Sequence, residues 1–461
     1  MIQEQPRLCK SQLSALCQEW SELPAHLRAD HLVERLYRFL HPLDWSRFPE
    51  RSEERVYPGP RPAARAPFVA ALLIRALEQL PSFGALARYL HEHPHVAELI
   101  GFGEQLPDRR QLARVLRLLS AQQADFALDA SVRAIAQQLP SEQNKLFGDT
   151  VMGDTQAILA WVAENNPKQY APDRFNKTHR PKGDPDCRLG IKKSPSSPRK
   201  AEEEAPPDEQ TPPTPATEPQ PANQLQIGRD ILWGYGTGVV ATTLPNGMEV
   251  VLAQITQPFH ESEVSYFRPL MEQAEQRLGR RPRYGIWDTG FDAHYVYDYY
   301  HQAGGMAYVP LNPGPRGSDR QFSPEGHPLC AAGLAMHKVF DFLDRKSLRE
   351  PHRRDKYVCP LLYPQPSASD CPITDPHWTK GGCTSTIASG LGSRIRLQID
   401  RTSEEWKAVY AKRSVVERIN SQAEHLGITR PKLRSLAAIR NWNLLIYAII
   451  NLKVVARLTT A

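Results

Sequence analysis

Apolar residues recur three or four apart through APFVAALLIRALEQL and RRQLARVLRLLSAQQADFAL, the spacing that lines one face of an α-helix. No strand-like alternation interrupts this stretch, so residues 1–140 are expected to form an all-helical N-terminal domain. Within it, FGALARYLHEHPHVAELIGFG reads as two short helices broken at Pro94. Such a pair, with Arg and His on one side, either touches a DNA end or belongs to an ordinary bundle with a solvated basic face.

The pattern then changes. NKLFGDTVMGDTQAILAWV (Asn144 to Val162) is strand-like and opens a unit over residues 144–182. Residues 194–224 hold nine prolines and almost nothing apolar, too little to offset the entropy of ordering, and 183–224 is expected to be a disordered insert. LWGYGTGVVATTL (Leu232 to Leu244) reads as a strand, Asn246-Gly247 as a hairpin turn, and EVVLAQIT as the returning strand. Glu261 to Gly279 has helical spacing, an acidic first turn and a terminal glycine. RYGIWDTG is a short strand ending in Asp288, AHYVYDYYHQAGG a helix, and MAYVPLN (Met306 to Asn312) a last strand. One strong helix follows from Glu404 to about Leu426.

Strand, insert, strand, hairpin, strand, helix, strand, helix, strand is the order of an α/β, ribonuclease-H-like fold. That fold is a mixed five-stranded sheet with flanking helices and its first three strands antiparallel. In such a sheet the first and fourth strands are neighbours, so Asp154 and Asp288 are expected to face one crevice. Tyr410, Arg413 and Glu417, spaced by three and four, share a face of the late helix. Val409, Val416, Ile419, Ala423 and Leu426 form the adjacent apolar stripe, which would press that helix onto the sheet and aim Glu417 at the aspartates. Three converging carboxylates repel one another unless cations intervene, and oxygen-only ligands favour Mg²⁺ or Mn²⁺. Two such ions serve phosphodiester displacement, so phosphoryl transfer on nucleic acid is the implied reaction. Asp149, five residues before Asp154 in the same run, is the rival first ligand.

YAKRSVVERIN (Tyr410 to Asn420) resembles the Tyr-x2-Arg-x3-Glu signature of bacterial insertion-sequence transposases of the DDE type. GDTQAILAWVAENNPKQY and GIWDTGFDAHYVYDYYHQAGGMAYVPLN are similar to that family's first- and second-aspartate segments, the second carrying Asp, two residues, an aromatic and Asp. The resemblance implies Asp154, Asp288 and Glu417 as the catalytic, Mg²⁺-binding triad, with Tyr410 and Arg413 holding DNA phosphates. It also implies terminal inverted repeats as substrate, joining of 3′ hydroxyls to a target, and a homodimer on double-stranded DNA. A lysine common seven positions after the Glu is Glu424 here. A metal-dependent nuclease without strand transfer, and a domesticated DNA-binding protein with an idle site, are the alternatives.

Charge agrees with a polyanionic partner. The 461 residues carry a formal net charge of +6, and residues 401–461 hold eleven Lys or Arg against four Glu, a net of +7. Arg430, Lys432, Arg434 and Arg440 are the candidate phosphate neutralisers of this basic tail; a solvated basic face is the other use. The chain opens without a signal-peptide pattern, and the apolar run from Leu444 to Val455 is short of a membrane span and expected to pack on the core. Seven cysteines are too few for a disulfide scaffold, so a cytoplasmic, reducing setting is expected, with no membrane partner; the resemblance implies association with the bacterial nucleoid when bound to DNA. Residues 313–400 fit an inserted subdomain. Its Cys330, Cys359, Cys371 and Cys383, with His327 and His377 nearby, offer a Cys₄ or Cys₃His structural Zn²⁺ site, or remain free thiols, since no CxxC pair is present.

Overall fold

The computed structural model describes residues 15–50, 63–103, 105–191, 231–312, 321–345 and 352–460. Among the described residues, eight α-helices come first: α1 (Ala25–Arg28), α2 (His31–Leu40), α3 (Ala66–Leu77), α4 (Phe83–Glu92), α5 (Pro94–Leu99), α6 (Arg109–Leu118), α7 (Ala121–Gln138) and α8 (Ser141–Leu146). Their starts are written locally. Asp30 accepts from the backbone N–H groups of Leu32 and Val33, while Asp108 with Gln111 and Ser120 with Gln123 form reciprocal caps on α6 and α7. Pro94 is the first residue of α5, where its missing N–H costs nothing, so the break after α4 falls there.

The sheet comprises β1 (Thr150–Leu159), β2 (Arg188–Ile191), β3 (Ile231–Thr243), β4 (Glu249–Pro258), β5 (Tyr284–Ile286) and β6 (Met306–Tyr308). β1 is antiparallel to β3 and β3 to β4, whereas β5 runs parallel to β1 and β6 parallel to β5. This mixed α/β arrangement is compatible with the expected fold, with one addition. β2 pairs with Ile231–Gly234 at the head of β3, and β4 takes the same edge from Tyr235 onward. β2 is a correction to the insert's boundary: residues 183–191 are part of the fold, because Cys187 and Leu189 bury their side chains in the core. The proline-rich remainder, 192–230, lies outside the described residues.

Alternation along the strands separates two cores. Met152, Ile158, Val239, Val251 and Ile286 face α13 (Ser414–His425) and α14 (Leu436–Thr460). Val151, Val240, Leu252 and Trp287 face α9 (Phe267–Leu278) and α10 (His294–Gln302). The expected single helix from Glu404 to Leu426 is two, α12 (Glu404–Tyr410) and α13, joined by a 3₁₀ turn, Ala411–Arg413. The backbone stays right-handed through Tyr410 and Ser414 while the turn tightens, so no glycine or proline announces the change.

α14 is apolar on most sides and acts as a central post. Most of its apolar length is buried inside the protein. The apolar run from Leu444 to Val455 packs in the core as its composition led one to expect, while Arg430, Lys432 and Arg434 of the basic stretch precede this helix. Its asparagines cross-link the layers: Asn451 bonds both backbone groups of Val251 and the Ser131 hydroxyl, Asn443 bonds Thr256, and Asn441 bonds the carbonyl of Leu116. Through α14 the N-terminal helices and the sheet share one continuous apolar core, with no break at residue 140. The later insertion adds β7 (His337–Asp344), β8 (His352–Val358) and β9 (Thr384–Ala388), an antiparallel sheet, and then α11 (Leu391–Gln398).

Candidate active site

β1 and β5 set the frame. Their parallel register pairs Met152 with Ile286, and two further residues along each strand direction bring Asp154 level with Asp288. Asp154 lies within β1, on the face turned to α13. Asp288 follows β5 and caps a 3₁₀ turn, Thr289–Phe291, its Oδ1 accepting from the Gly290 N–H at 2.6 Å. Val415, Val416, Ile419 and Ala423 bury one side of α13 and leave Glu417 on the exposed side, at the rim above the sheet.

Arg413 ties these three elements together. Its Nη1 donates to Glu417 Oε1 at 2.7 Å, and its Nη2 stands 3.4 Å from Asp154 Oδ1 and 4.0 Å from Asp288 Oδ2. Burial pulls the guanidinium toward deprotonation, but the charges of Asp154, Tyr410, Asp288 and Glu417 outweigh it and raise its pKa. One cation therefore sits among three acids drawn from residues 134 and 129 positions apart. Tyr410 borders the same group, stacked on Trp406 with ring centroids 4.8 Å apart. Burial raises its hydroxyl pKa, and Arg413 partly opposes that rise.

Two further contacts were not singled out from the sequence. Asn420 donates through Nδ2 to Asp154 Oδ2 at 3.0 Å, while its own Oδ1 is buried without a hydrogen-bond partner. Its position three residues after Glu417, on the same helical face, is the signal that would have found it. Glu263 accepts from the Thr155 hydroxyl at 3.3 Å, and its Oε2 lies 2.0 Å from where a β-carbon of Gly290 would stand, so a fourth carboxylate flanks Asp288. Nothing in spacing marks Glu263, which reads as an acidic first turn.

The other candidate residues are dispersed. Asp149 is held by Arg283 through both carboxylate oxygens, at 2.8 and 2.7 Å, at the start of β1, and is not brought to Asp288 or Glu417. Asp292, the second acid of the Asp-x2-aromatic-Asp pattern, is buried against Arg396 of α11 and accepts from the Tyr297 hydroxyl and the Asn312 N–H. It anchors the loop after β5 to the insertion. Arg430, Lys432 and Arg434 are exposed on the loop that runs beside the end of β1, where Leu159 N–H meets the Thr429 carbonyl at 2.9 Å. Arg434 lies over the Trp161 ring, 4.8 Å from its centroid. Arg440 departs from this group: it is half-buried on α14 and turned toward Asn441.

In the insertion, Cys330, Cys359, Cys371 and Cys383 line one small cavity. Among the described residues, no group of three or more His, Cys, Asp or Glu side chains stands in a geometry that could hold a metal ion.

No family model and no curated protein matches the chain. The chain is weakly similar to solved structures, among them the following two. The Mos1 strand transfer complex is 13% identical with a TM-score of 0.17, covering 64% of this chain and 70% of that one. The Mos1 transposase paired-end complex with left transposon end is 11% identical with a TM-score of 0.17 over the same shares. Scores of this size carry neither residue roles nor a family assignment to this chain.

Proposed function

We propose that this chain is a DNA transposase of the DDE type with a ribonuclease-H-like core. In this reading it binds the inverted repeats at the ends of its own element, cuts there, and joins the 3′ hydroxyls to target DNA. The observation that carries this reading is the shared contact of Arg413 with Asp154, Asp288 and Glu417, which come from a strand, a strand end and a helix. Acids packed so closely favour a cation at their centre.

The donor set fits Mg²⁺ or Mn²⁺: three carboxylates, with the unpartnered Oδ1 of Asn420 beside them, all oxygen and no sulfur. Asp154, Asp288 and Glu417 would hold the ions. When bound, two divalent ions supply an acidified water and charge neutralisation at the leaving oxygen. Asn420 orients Asp154 by holding one of its oxygens. Arg413 and Tyr410, at the edge of the acid group, are placed for a DNA phosphate, and Arg430, Lys432 and Arg434 extend a basic track along the loop beside β1. A homodimer bringing two ends together completes the proposal.

The test is cleavage and joining of DNA carrying the element's ends in Mg²⁺, comparing the wild type with Glu417→Gln. Cutting and joined products from the wild type, lost in Glu417→Gln, support the reading. Equal cutting by both removes Glu417 from the chemistry, and cutting without joined products assigns a nuclease instead.

A further inference from the structure

The insertion between β6 and α12 has very little core of its own. Between residues 321 and 400 the buried apolar side chains are Met336, Tyr357, Val358 and Cys359 among the described residues, and none joins either of the two main cores. Its leading strand exposes Val339, Phe340 and Leu343. A loop-rich sheet of this size needs another source of cohesion.

Four cysteines from four separate segments line one small cavity there. Cys330 closes a tight turn, receiving the Gly333 N–H on its carbonyl and donating its own N–H to Leu334. Cys359 follows β8 directly, Cys371 opens a turn closed by the Thr374 N–H, and Cys383 immediately precedes β9. All four line a cavity of about 10 Å³, with Asp375 on its wall and neither His327 nor His377 among its lining residues. The cavity has room for roughly one atom-sized guest.

The approach of two of these thiols is built into the backbone. Gly381 and Gly382 both adopt left-handed conformations, at φ 96° and 78°, just before Cys383. A β-carbon at Gly382 would stand 2.7 Å from Cys359 Cβ and 3.3 Å from its Sγ. Only a bare glycine lets the Cys383 segment close on Cys359.

We propose that Cys330, Cys359, Cys371 and Cys383 close around one Zn²⁺ ion as a structural site. The ion replaces the four thiol protons, which leave to solvent, and four thiolates fill its tetrahedral shell with no position open for chemistry. An all-sulfur set on short turns selects zinc over the hard cations suited to Asp154, Asp288 and Glu417. The site is thus independent of the proposed DNA chemistry.

Metal analysis of the full-length protein, produced in zinc-replete medium and purified without chelators or a polyhistidine tag, is the test. About one zinc per chain is expected, lost in Cys371→Ser and Cys383→Ser and kept in Cys17→Ser, whose thiol lies in the helical region. Cobalt exchanged into the wild type should show thiolate-to-cobalt charge transfer and the intense visible bands of a tetrahedral ion. If the cysteine variants do not accumulate, titrating the wild type with a mercurial decides, since zinc should leave as four thiols react. Zinc-free wild type without cobalt bands, zinc retained in both insertion variants, or disulfides among these four cysteines would overturn the proposal.

Discussion

The ring of Trp287 occupies the space that a side chain at Gly153 would fill, with Trp287 Cζ3 2.0 Å from the position of a β-carbon there. These residues immediately precede Asp288 and Asp154, so the contact fixes how closely the two aspartate strands lie. Trp287 has no room to retreat: it is fully buried, packed on Phe267 and Phe291, and its Nε1 donates to the Tyr300 hydroxyl at 2.9 Å.

Gly153→Ala is therefore expected to lower stability by about 1–3 kcal/mol, the usual cost of forcing extra atoms into a filled core. It should also slow Mg²⁺-dependent cleavage, because relief of the clash moves the strand that carries Asp288. Denaturant unfolding and a cleavage time course check both effects. Unchanged stability would mean that the strands separate freely and do not set the spacing of the acids.

Arg413 competes with any metal ion for the same three carboxylates. Arg413→Ala should tighten Mn²⁺ binding, by roughly 0.5–1 kcal/mol for a partly exposed charge cluster, while weakening DNA binding. Isothermal titration with Mn²⁺, paired with a DNA-binding titration, reads both directions. Weaker Mn²⁺ binding in the variant would show that the guanidinium supports the metal rather than competing with it.

Asn420 reaches the reaction only through Asp154. Replacing it with alanine should reduce metal affinity or cleavage about 10–100-fold, the range for residues that orient a metal ligand, with the thermal midpoint little changed. Asn420→Gln, if its longer amide still reaches Asp154, should recover part of the loss. A cleavage rate equal to wild type in Asn420→Ala would leave the contact without a role.

Asp184 offers a pH-dependent test of the fold. Its fully buried carboxyl is pushed upward in pKa by desolvation, against the opposing hydrogen bond from the Tyr235 hydroxyl at 2.8 Å. A carboxyl raised in the folded state favours folding when protonated, and that contribution fades as pH climbs from about 4, its unfolded value, through the folded value. Asp184→Asn keeps an acceptor for Tyr235 without the charge. It should match or exceed wild-type stability at pH 7, and lose that advantage near pH 4. Parallel stability curves for the two proteins across this range would contradict the reading.

Much of the sheet was legible because its signals are local. Asn246-Gly247 marks the hairpin, Gly279 ends α9 at φ 67°, and the short apolar run before Asp288 marks β5. The face of α13 was legible too, since Val416, Ile419 and Ala423 repeat at helical spacing and are buried as that spacing requires. What escaped depends on distant partners. β2 is four residues long and exists by pairing with the head of β3. The 3₁₀ turn at Ala411–Arg413 carries no breaker residue. Glu263 acquires its place beside Asp288 only when the turn after β4 meets the turn after β5. No CxxC pair marks the cysteines; the loop at Gly381-Gly382, not spacing along the chain, brings the Cys383 segment against Cys359.

Convergence of Asp154, Asp288 and Glu417 on one cation is tested most directly by Mn²⁺ binding to the full chain, compared with Asp154→Asn, Asp288→Asn and Glu417→Gln. If the three acids form one site, each single substitution should weaken Mn²⁺ at least tenfold, about 1.4 kcal/mol, without unfolding the protein. Wild-type affinity in any one of the three folded variants would show that its acid stands outside the metal site.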